Sequence, residues 1–386
     1  MSHINKDIII VGGGPVGLYL AGRLLQNGIS CTVLEKKQRI DQHSKSLGIH
    51  PVSLELFDEA GITELFLDKG LKIKKGIAFW NRTKIGEINF ETCPEPHNYI
   101  LAMPQWQTEE ILEKWVLSLD RDAIIRGAEV CSLVETDDDI RIEYKKEDSS
   151  QSITSKFVVG CDGKNSFIRE VLDISFEGKT YPDTYIMGDF TDNTSFGSHA
   201  VVYLHQEGLI ESFPLPNGHR RWVVKTDSYI ENPTVELLKQ NLETRLDHSL
   251  NGCKNYMLSS FGVQHLMAQT FHKNRVLLAG DAAHVVSPIG GQGMNLGWLG
   301  AEKCLVAITN ALDHPDKSQL YFETFTSDQK KIVVQTAKRA EMNMHLGRSE
   351  TSNMFYKGLI YAMIKTPLSA LLAKIFTMRG LGKWWV

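Results

Sequence analysis

The sequence predicts an α/β chain: a three-layer domain built on a parallel sheet, a second antiparallel-sheet domain inserted into it, and helices towards the C-terminal end. Three observations predict this. An unbroken apolar run, Asp7–Val11 ("DIIIV"), leads into closely spaced glycines and then a helix-period apolar stripe. Two further strand-like runs end in an aspartate beside a glycine, at Asp162-Gly163 and Gly280-Asp281. The stretch between those two holds several short strands separated by turn residues, which reads as an antiparallel sheet.

The bulk properties bound the answer. At 386 residues the chain favours two domains over one core. A hydrophobic content of 42% with 23% charged residues describes an ordinary globular protein rather than a disordered one. The net charge of −4 supplies no general attraction to nucleic acid, so none is expected as a partner. The 6 cysteines form no CxxC pair and the 13 histidines no HExxH, so neither disulfides nor a metal is expected. "MSHINKDIIIV" has no charged-then-apolar leader, and no run of about 18 apolar residues exists. A cytoplasmic location follows as the expectation.

The first unit is Asp7–Lys37. A strand buried on both faces ends in Gly12, Gly14 and Gly17, with Pro15 and Val16 between them. Leu18, Leu20, Ala21, Leu24 and Leu25 follow at helical spacing, Gly28 ends the helix, and "SCTVLE" forms a second strand ending in Glu35, with Lys36 next to it as a further candidate of the same site. Glycines let a pyrophosphate approach the backbone, the helix start offers it unpaired N–H groups, and the acidic residue accepts from ribose hydroxyls. One GxGxxG is weak evidence; the whole strand, turn, helix, strand and acid order is specific to a Rossmann-like dinucleotide site.

The second unit, "SKFVVGCDGKNSFIRE", is a strand over Phe157–Cys161, then Asp162-Gly163 and a short helix carrying Ser166 and Arg169. The third, "RVLLAGDAAHVVSPIGGQGMNLG", is a strand over Val276–Ala279, then Gly280-Asp281, then a helix. Both aspartates sit at the carboxyl end of a strand, where open α/β sheets bind ligands.

With these three motifs in this order, the chain resembles the class A flavoprotein monooxygenases of the para-hydroxybenzoate hydroxylase fold, over roughly residues 7–310. Its wording is similar to the ubiquinone-biosynthesis and polyketide-phenol hydroxylases among them. The resemblance implies a three-layer FAD-binding Rossmann-like domain from residues 1–73, 98–180 and 271–345. An antiparallel-sheet substrate domain would come from 74–97 and 181–270, and a C-terminal helical segment from 346–386. It implies FAD as cofactor and NAD(P)H as a transient donor without a Rossmann domain of its own. Glu35 would hold the adenosine ribose, Val130 would lie on the adenine, Gln105 would touch the flavin, and Asp281 would bind the ribityl chain. Asp162 and Gly163 would serve the dinucleotide side and the reductant's approach. Where the family carries arginine, "HSKSLG" has Lys45, which keeps the charge and loses the bidentate fork.

The small residues of "PIGGQGMN" then acquire a reason. A flat ring system packs against backbone, so Gly291 and Gly293, on either side of the cofactor-site candidate Gln292, bring little bulk, and amides of Gly293, Met294 and Asn295 at the next helix start would meet negative charge at the ring's N1–O2 edge. Pro288 and Gly293 are the residues assigned to the reactive face, by resemblance and through backbone; no side-chain base is assigned. His284 reads as a hydrogen-bonded holder of its loop in preference to an acid.

The rest of the chain is read more coarsely. Lys74–Phe90 is a hairpin turning at Asn81-Arg82, and Thr184–Lys225 holds four strands, followed by a helix in "PTVELLKQNLETRL" and a strand in "YMLSSFGVQHL". Tyr203, His205, His219, Arg220 and Arg221 are polar candidates for a substrate pocket, but each is expected as a surface strand residue. Past Glu350 the chain is basic, with Lys357, Lys365, Lys374, Arg379 and Lys383, and ends near Trp384 and Trp385. Two readings stay open there: a helix packed on the FAD domain, which is favoured, and peripheral contact with a membrane surface.

The function expected is hydroxylation of a phenolic, apolar-substituted aromatic substrate by dioxygen through a flavin C4a-hydroperoxide. A halogenase or reductase of the same fold is the alternative; the WxWxIP pattern of tryptophan-type halogenases is missing. A non-enzymatic relative is disfavoured by the intact Asp162, Asp281 and "GGQG".

Overall fold

The computed structural model of the chain describes residues 5–42, 46–346, 358, 361, 363–366 and 368–380. Lys45, Lys357, Lys383, Trp384 and Trp385 lie outside the described residues.

The main sheet has five parallel strands in the order Val276–Leu278, Ser149–Gly160, Asn5–Val11, Cys31–Glu35 and Ile124–Arg126. Ile8, Ile9 and Ile10 are all fully buried, so both faces of the central strand are covered, as a parallel sheet requires. One covering layer is helical: Pro15–Gln26, which starts with proline in its first turn, packs on Gln105–Leu119 and Gln292–Asp313. An antiparallel meander, Ala128–Glu135 and Ile140–Lys146, joins the Ser149–Gly160 strand. That strand is far longer than the apolar run at Phe157–Cys161 suggests, because its first half is a polar, solvent-facing arm of the meander.

The inserted sheet has eight strands, in the order His284–Val285, Asn255–Ala268, Phe176–Thr191, His219–Thr226, Ile210–Leu215, Ala200–Leu204, Lys75–Trp80 and Thr83–Asn89. It is antiparallel except where the early hairpin joins, Lys75–Trp80 running parallel to Ala200–Leu204. One face packs on the helix Val235–Leu246 through Ile186, Phe190, Trp222 and Val224. The other presents Met187, Leu209, Phe213 and Val223 towards the FAD-motif side.

Arg220 and Arg221 correct the expectation of surface strand residues: they are 0% and 1% exposed. Alternation along the strand sends them to opposite faces, and each guanidinium meets a carboxylate. Arg220 Nε donates to Asp192 Oδ2 at 2.9 Å, and Arg221 donates to both oxygens of Asp189 at 2.6 and 2.8 Å. Buried charges persist only when paired in this way. Tyr203 is also buried, stacked on Phe79 on the helix-covered face. His205 is half-buried, and His219 is half-buried and stacked on Tyr256 at 3.9 Å between centroids.

The C-terminal helix Leu368–Phe376 packs on the protein, against the inserted sheet's hairpin and, through Ala373, in a buried cluster with Ile73 and Ala102 of the segments expected on the FAD side. Ala373 and Leu372 are buried there, while Leu368 and Leu371 face outwards. Arg379 pins the segment by donating to Glu55, Pro94 O and His97 O. No helix of the described residues is long and apolar enough to cross a membrane.

Candidate active site

The three motifs converge because they leave neighbouring strands of one sheet at the same end. Gly12 N donates to Leu34 O at 2.8 Å, Cys161 N to Val11 O at 2.7 Å, and Ala279 N to Gly160 O at 2.9 Å. Arg169 then ties the second motif to the third, donating to Ala282 O at 3.0 Å and to Lys164 O at 2.8 Å. Val16 wedges the first against the third: a Cβ on Gly280 or Gly297 would lie 3.1 or 2.5 Å from its side chain.

Two of the motif glycines are needed for close packing. Gly12 has φ +109°, and a Cβ there would sit 2.4 Å from Cys161 O; a Cβ on Gly17 would sit 2.1 Å from Gly12 O. Gly14 differs, with nothing within 4 Å of its Cβ position, so it faces open space at the helix start.

That space is part of one continuous cavity of about 1350 Å³. Gly12, Gly14, Pro15, Val16, Glu35, Lys36 and Val130 line one end. Asp162, Gly163, Gly280, Asp281, Gln105 and the Pro288, Gly291, Gly293 and Met294 segment line the middle. The far end is the inserted sheet, with Glu211, Phe213 and Val223, closed by Ile364, Leu372 and Phe376. Of the sequence-predicted site residues among those described, Gly17, Gln292 and Asn295 are not in this wall. Gly17 is closed against Gly12. Gln292 is fully buried, and neither end of its amide has a partner among the described residues.

The side chain of Asn295 has a task the sequence did not announce. Its Oδ1 accepts from His50 N and Ser53 Oγ at 2.8 Å, and its Nδ2 donates to Gly48 O and Gly291 O at 2.8 and 2.9 Å. It is a fully satisfied clasp between two segments. The helix also starts earlier than predicted, at Gln292 after an N-cap Gly291 with φ +65°. The amides that lack a helical acceptor are therefore those of Gln292, Gly293 and Met294, one residue back from the predicted set.

The polar groups are arranged as follows. Glu35 accepts from Gly13 N at 2.6 Å and Lys37 N at 2.8 Å, fixing its carboxylate beside the glycine turn. Asp162 Oδ2 accepts from Ile168 N at 3.1 Å, while its Oδ1 is buried without a partner among the described residues. Gln105 accepts from Ser46 N and donates to Glu109. His284 is buried beside Gln329, with burial pushing its imidazole down to about 4, and it does not line the cavity.

Two cavity residues were missed by the sequence reading. His50 is buried with its Nε2 3.0 Å from Gly290 O, and burial pushes its pKa down to about 4. A carbonyl only accepts, so Nε2 carries the proton and the neutral ring holds the glycine loop. Its signal was weak: a histidine before Pro51. Glu211 is 8% exposed, and burial raises its carboxyl to about 7. The signal for it was one acid on the otherwise apolar face Leu209, Glu211, Phe213, Leu215.

The FAD binding domain family matches residues 5–340. The chain belongs to that family. An uncharacterized aromatic compound monooxygenase of Bacillus subtilis is 34% identical over 301 residues, covering 76% of this chain and 59% of that protein. A rifampicin monooxygenase of Streptomyces venezuelae is 32% identical over 298 residues, covering 75% and 61%. The chain thus spans about 60% of the length of these curated relatives. The anhydrotetracycline hydroxylase of Streptomyces rimosus superposes with a TM-score of 0.81 at 26% identity, covering 97% of this chain and 76% of that one.

The cavity's residues fit the cofactor of this family. An uncapped helix start and open Gly14 suit a pyrophosphate, a carboxylate flanks the turn, and the orphaned Asp162 Oδ1 is an acceptor awaiting a donor. At about 1350 Å³ the chamber also exceeds the ~300–1,000 Å³ typical of one small ligand, so it has room for a dinucleotide and a second molecule.

Proposed function

We propose that this chain is an FAD-dependent, NAD(P)H-driven monooxygenase that hydroxylates a phenolic aromatic ring bearing apolar substituents. One observation carries the reading: a single cavity joins the dinucleotide motifs to an apolar sheet face, with the Pro288–Met294 segment at the junction. The activities named for the relatives point the same way.

In this reading Glu35 binds the adenosine ribose, Val130 packs on the adenine, and the helix start at Gly14, Pro15 and Val16 meets the pyrophosphate, with Gly17 allowing the turn to close behind it. Asp281 takes the ribityl hydroxyls, with Asp162, Gly163, Gln105, Lys36 and Lys45 contributing to the same cofactor. The amides of Gln292, Gly293 and Met294 lie where they stabilise negative charge on the ring system. Pro288 and Gly293 bound the reactive face. FAD, when bound and reduced, supplies the electrons that activate dioxygen for transfer of one oxygen atom. The protein's own work is positioning and exclusion of water: Phe213, Val223, Ile364, Leu372 and Phe376 present apolar surface to the aromatic substrate. We extend the same proposal to the division of the chain into the FAD-side and substrate-side segments given above. The outward-facing Leu368 and Leu371 are the residues that would meet a membrane surface, which liposome co-sedimentation checks.

NAD(P)H oxidation measured against a panel of phenols tests the activity. Apolar-substituted phenols should accelerate it, and product formed under labelled dioxygen should carry one labelled oxygen. Unlabelled product, or no acceleration by any phenol, removes the reading.

A further inference from the structure

Resting on the hydroxylase reading above, we infer that Glu211 is the catalytic residue that takes the proton of the substrate's ring hydroxyl. It sits mid-strand in Ile210–Leu215, and alternation aims it, with Leu209 and Phe213, into the cavity. It is more than nine-tenths buried, yet its carboxyl makes no hydrogen bond or ion pair with any described residue. The other two buried acids among the described residues are paired: Asp189 with Arg221, and Asp183 with Lys225.

The groups around Glu211 leave it alone. On the neighbouring strand Arg221 shares its face, but both oxygens of Asp189 engage that guanidinium. Arg220 turns to the other face, Lys225 pairs with Asp183 at 3.5 Å, and His219 stacks on Tyr256. On the other side, Ala200–Leu204 offers Val202 and Leu204 to the cavity and keeps Tyr203 on the far face. The two short strands packed below offer Ile73 and Ile100 to the cavity, and Lys72 lies over the Tyr99 ring. The C-terminal wall adds Met363, Ile364, Leu372 and Phe376.

A carboxyl in an apolar wall without a donor is costly to ionise, and a ligand O–H is the partner it lacks. The site therefore selects a neutral hydroxyarene whose hydroxyl points at this strand. The step is a proton transfer. The substrate's O–H bond breaks, its electron pair stays on the ring oxygen, and a new O–H bond forms at a Glu211 carboxylate oxygen. The resulting phenolate is richer in electrons at ring carbon, which is what an oxygen-atom acceptor needs. Burial alone raises the carboxyl to about 7, so it is available as an acceptor above that pH and already protonated below it.

Calorimetric titration of the FAD-loaded protein with 4-propylphenol and with its methyl ether tests this. Both probes stay uncharged in water across the range used. The phenol should bind about tenfold more tightly at pH 8 than at pH 6, following ionisation of one group near neutrality, while the ether gains nothing. Glu211→Gln should flatten the phenol's pH dependence and leave FAD bound; Glu211→Leu replaces it if the glutamine variant fails to fold. Phenol binding with no such rise, or a rise that survives in the variant, overturns the assignment while the hydroxylase reading stands. If neither probe binds the wild-type protein and no phenol accelerates NAD(P)H oxidation, the aromatic-substrate reading falls and this assignment with it.

Discussion

Replacing Glu211 with glutamine should make the protein more stable at alkaline pH, and the size of the effect follows from where the carboxyl sits. Its folded-state pKa of about 7 lies above the usual 4.5 because burial penalises the charged form. The sign is fixed by proton counting. Between pH 4.5 and 7 the folded protein holds a proton here that the unfolded chain releases, so stability falls as pH rises through that window, by about 1.4 kcal/mol per unit. From pH 5.5 to pH 8 the wild type should therefore lose about 2 kcal/mol that Glu211→Gln does not lose. Every other titrating group is common to both proteins and cancels in the difference. Urea unfolding of each at saturating FAD, followed by tryptophan fluorescence, measures it. The variant's advantage should grow by about 2 kcal/mol across that interval. A difference that stays flat between the two pH values refutes the claim that this carboxyl is buried and unpaired.

Four further outcomes are expected. Asp281→Ala should weaken FAD retention roughly ten- to a hundredfold, since charge-assisted hydrogen bonds contribute about 1.5–3 kcal/mol each; flavin released on dilution reads this. Asn295→Ala strands four buried partners and should cost about 2–4 kcal/mol in chemical unfolding, whether or not flavin is present. Gly17→Ala drives a Cβ into Gly12 O and should lower the melting temperature of FAD-free protein, whereas Gly14→Ala should leave that temperature alone and weaken only FAD binding. Arg221→Leu abandons a buried Asp189 and should cost about 3–5 kcal/mol, much of it regained in the Arg221→Leu/Asp189→Leu pair.

How much of this was legible depended on the distance over which each feature is decided. The first motif was fully readable, because its strand, turn and helix are neighbours and each glycine answers a local steric demand. The strands of the inserted sheet were readable from alternation and turns, although their order and the one parallel joint were not. Arg220 and Arg221 were misjudged because their partners, Asp192 and Asp189, lie 28 and 32 residues upstream. The clasp made by the Asn295 side chain went unread for the same reason: it depends on His50, 245 residues away. The C-terminal helix shows its apolar stripe in sequence, but nothing local says which surface that stripe meets. Glu211 could have been noticed as the odd acid on an apolar face, yet only the assembled cavity reveals that none of the described residues answers it.

The two-residue strand His284–Val285 belongs to the inserted sheet, pairing with Leu266 and Met267, while Ala283 O also accepts from Ala268 N at 2.8 Å. Pro288 is three positions on from Val285, and three extended residues reach about 10 Å. The strip of backbone over which the ring would lie is thus on a short leash to the wall that would receive the substrate. Those two surfaces cannot drift apart by more than that reach without unzipping the ladder, so the room available to a guest is metered by the chain itself and not by how the two sheets happen to lean.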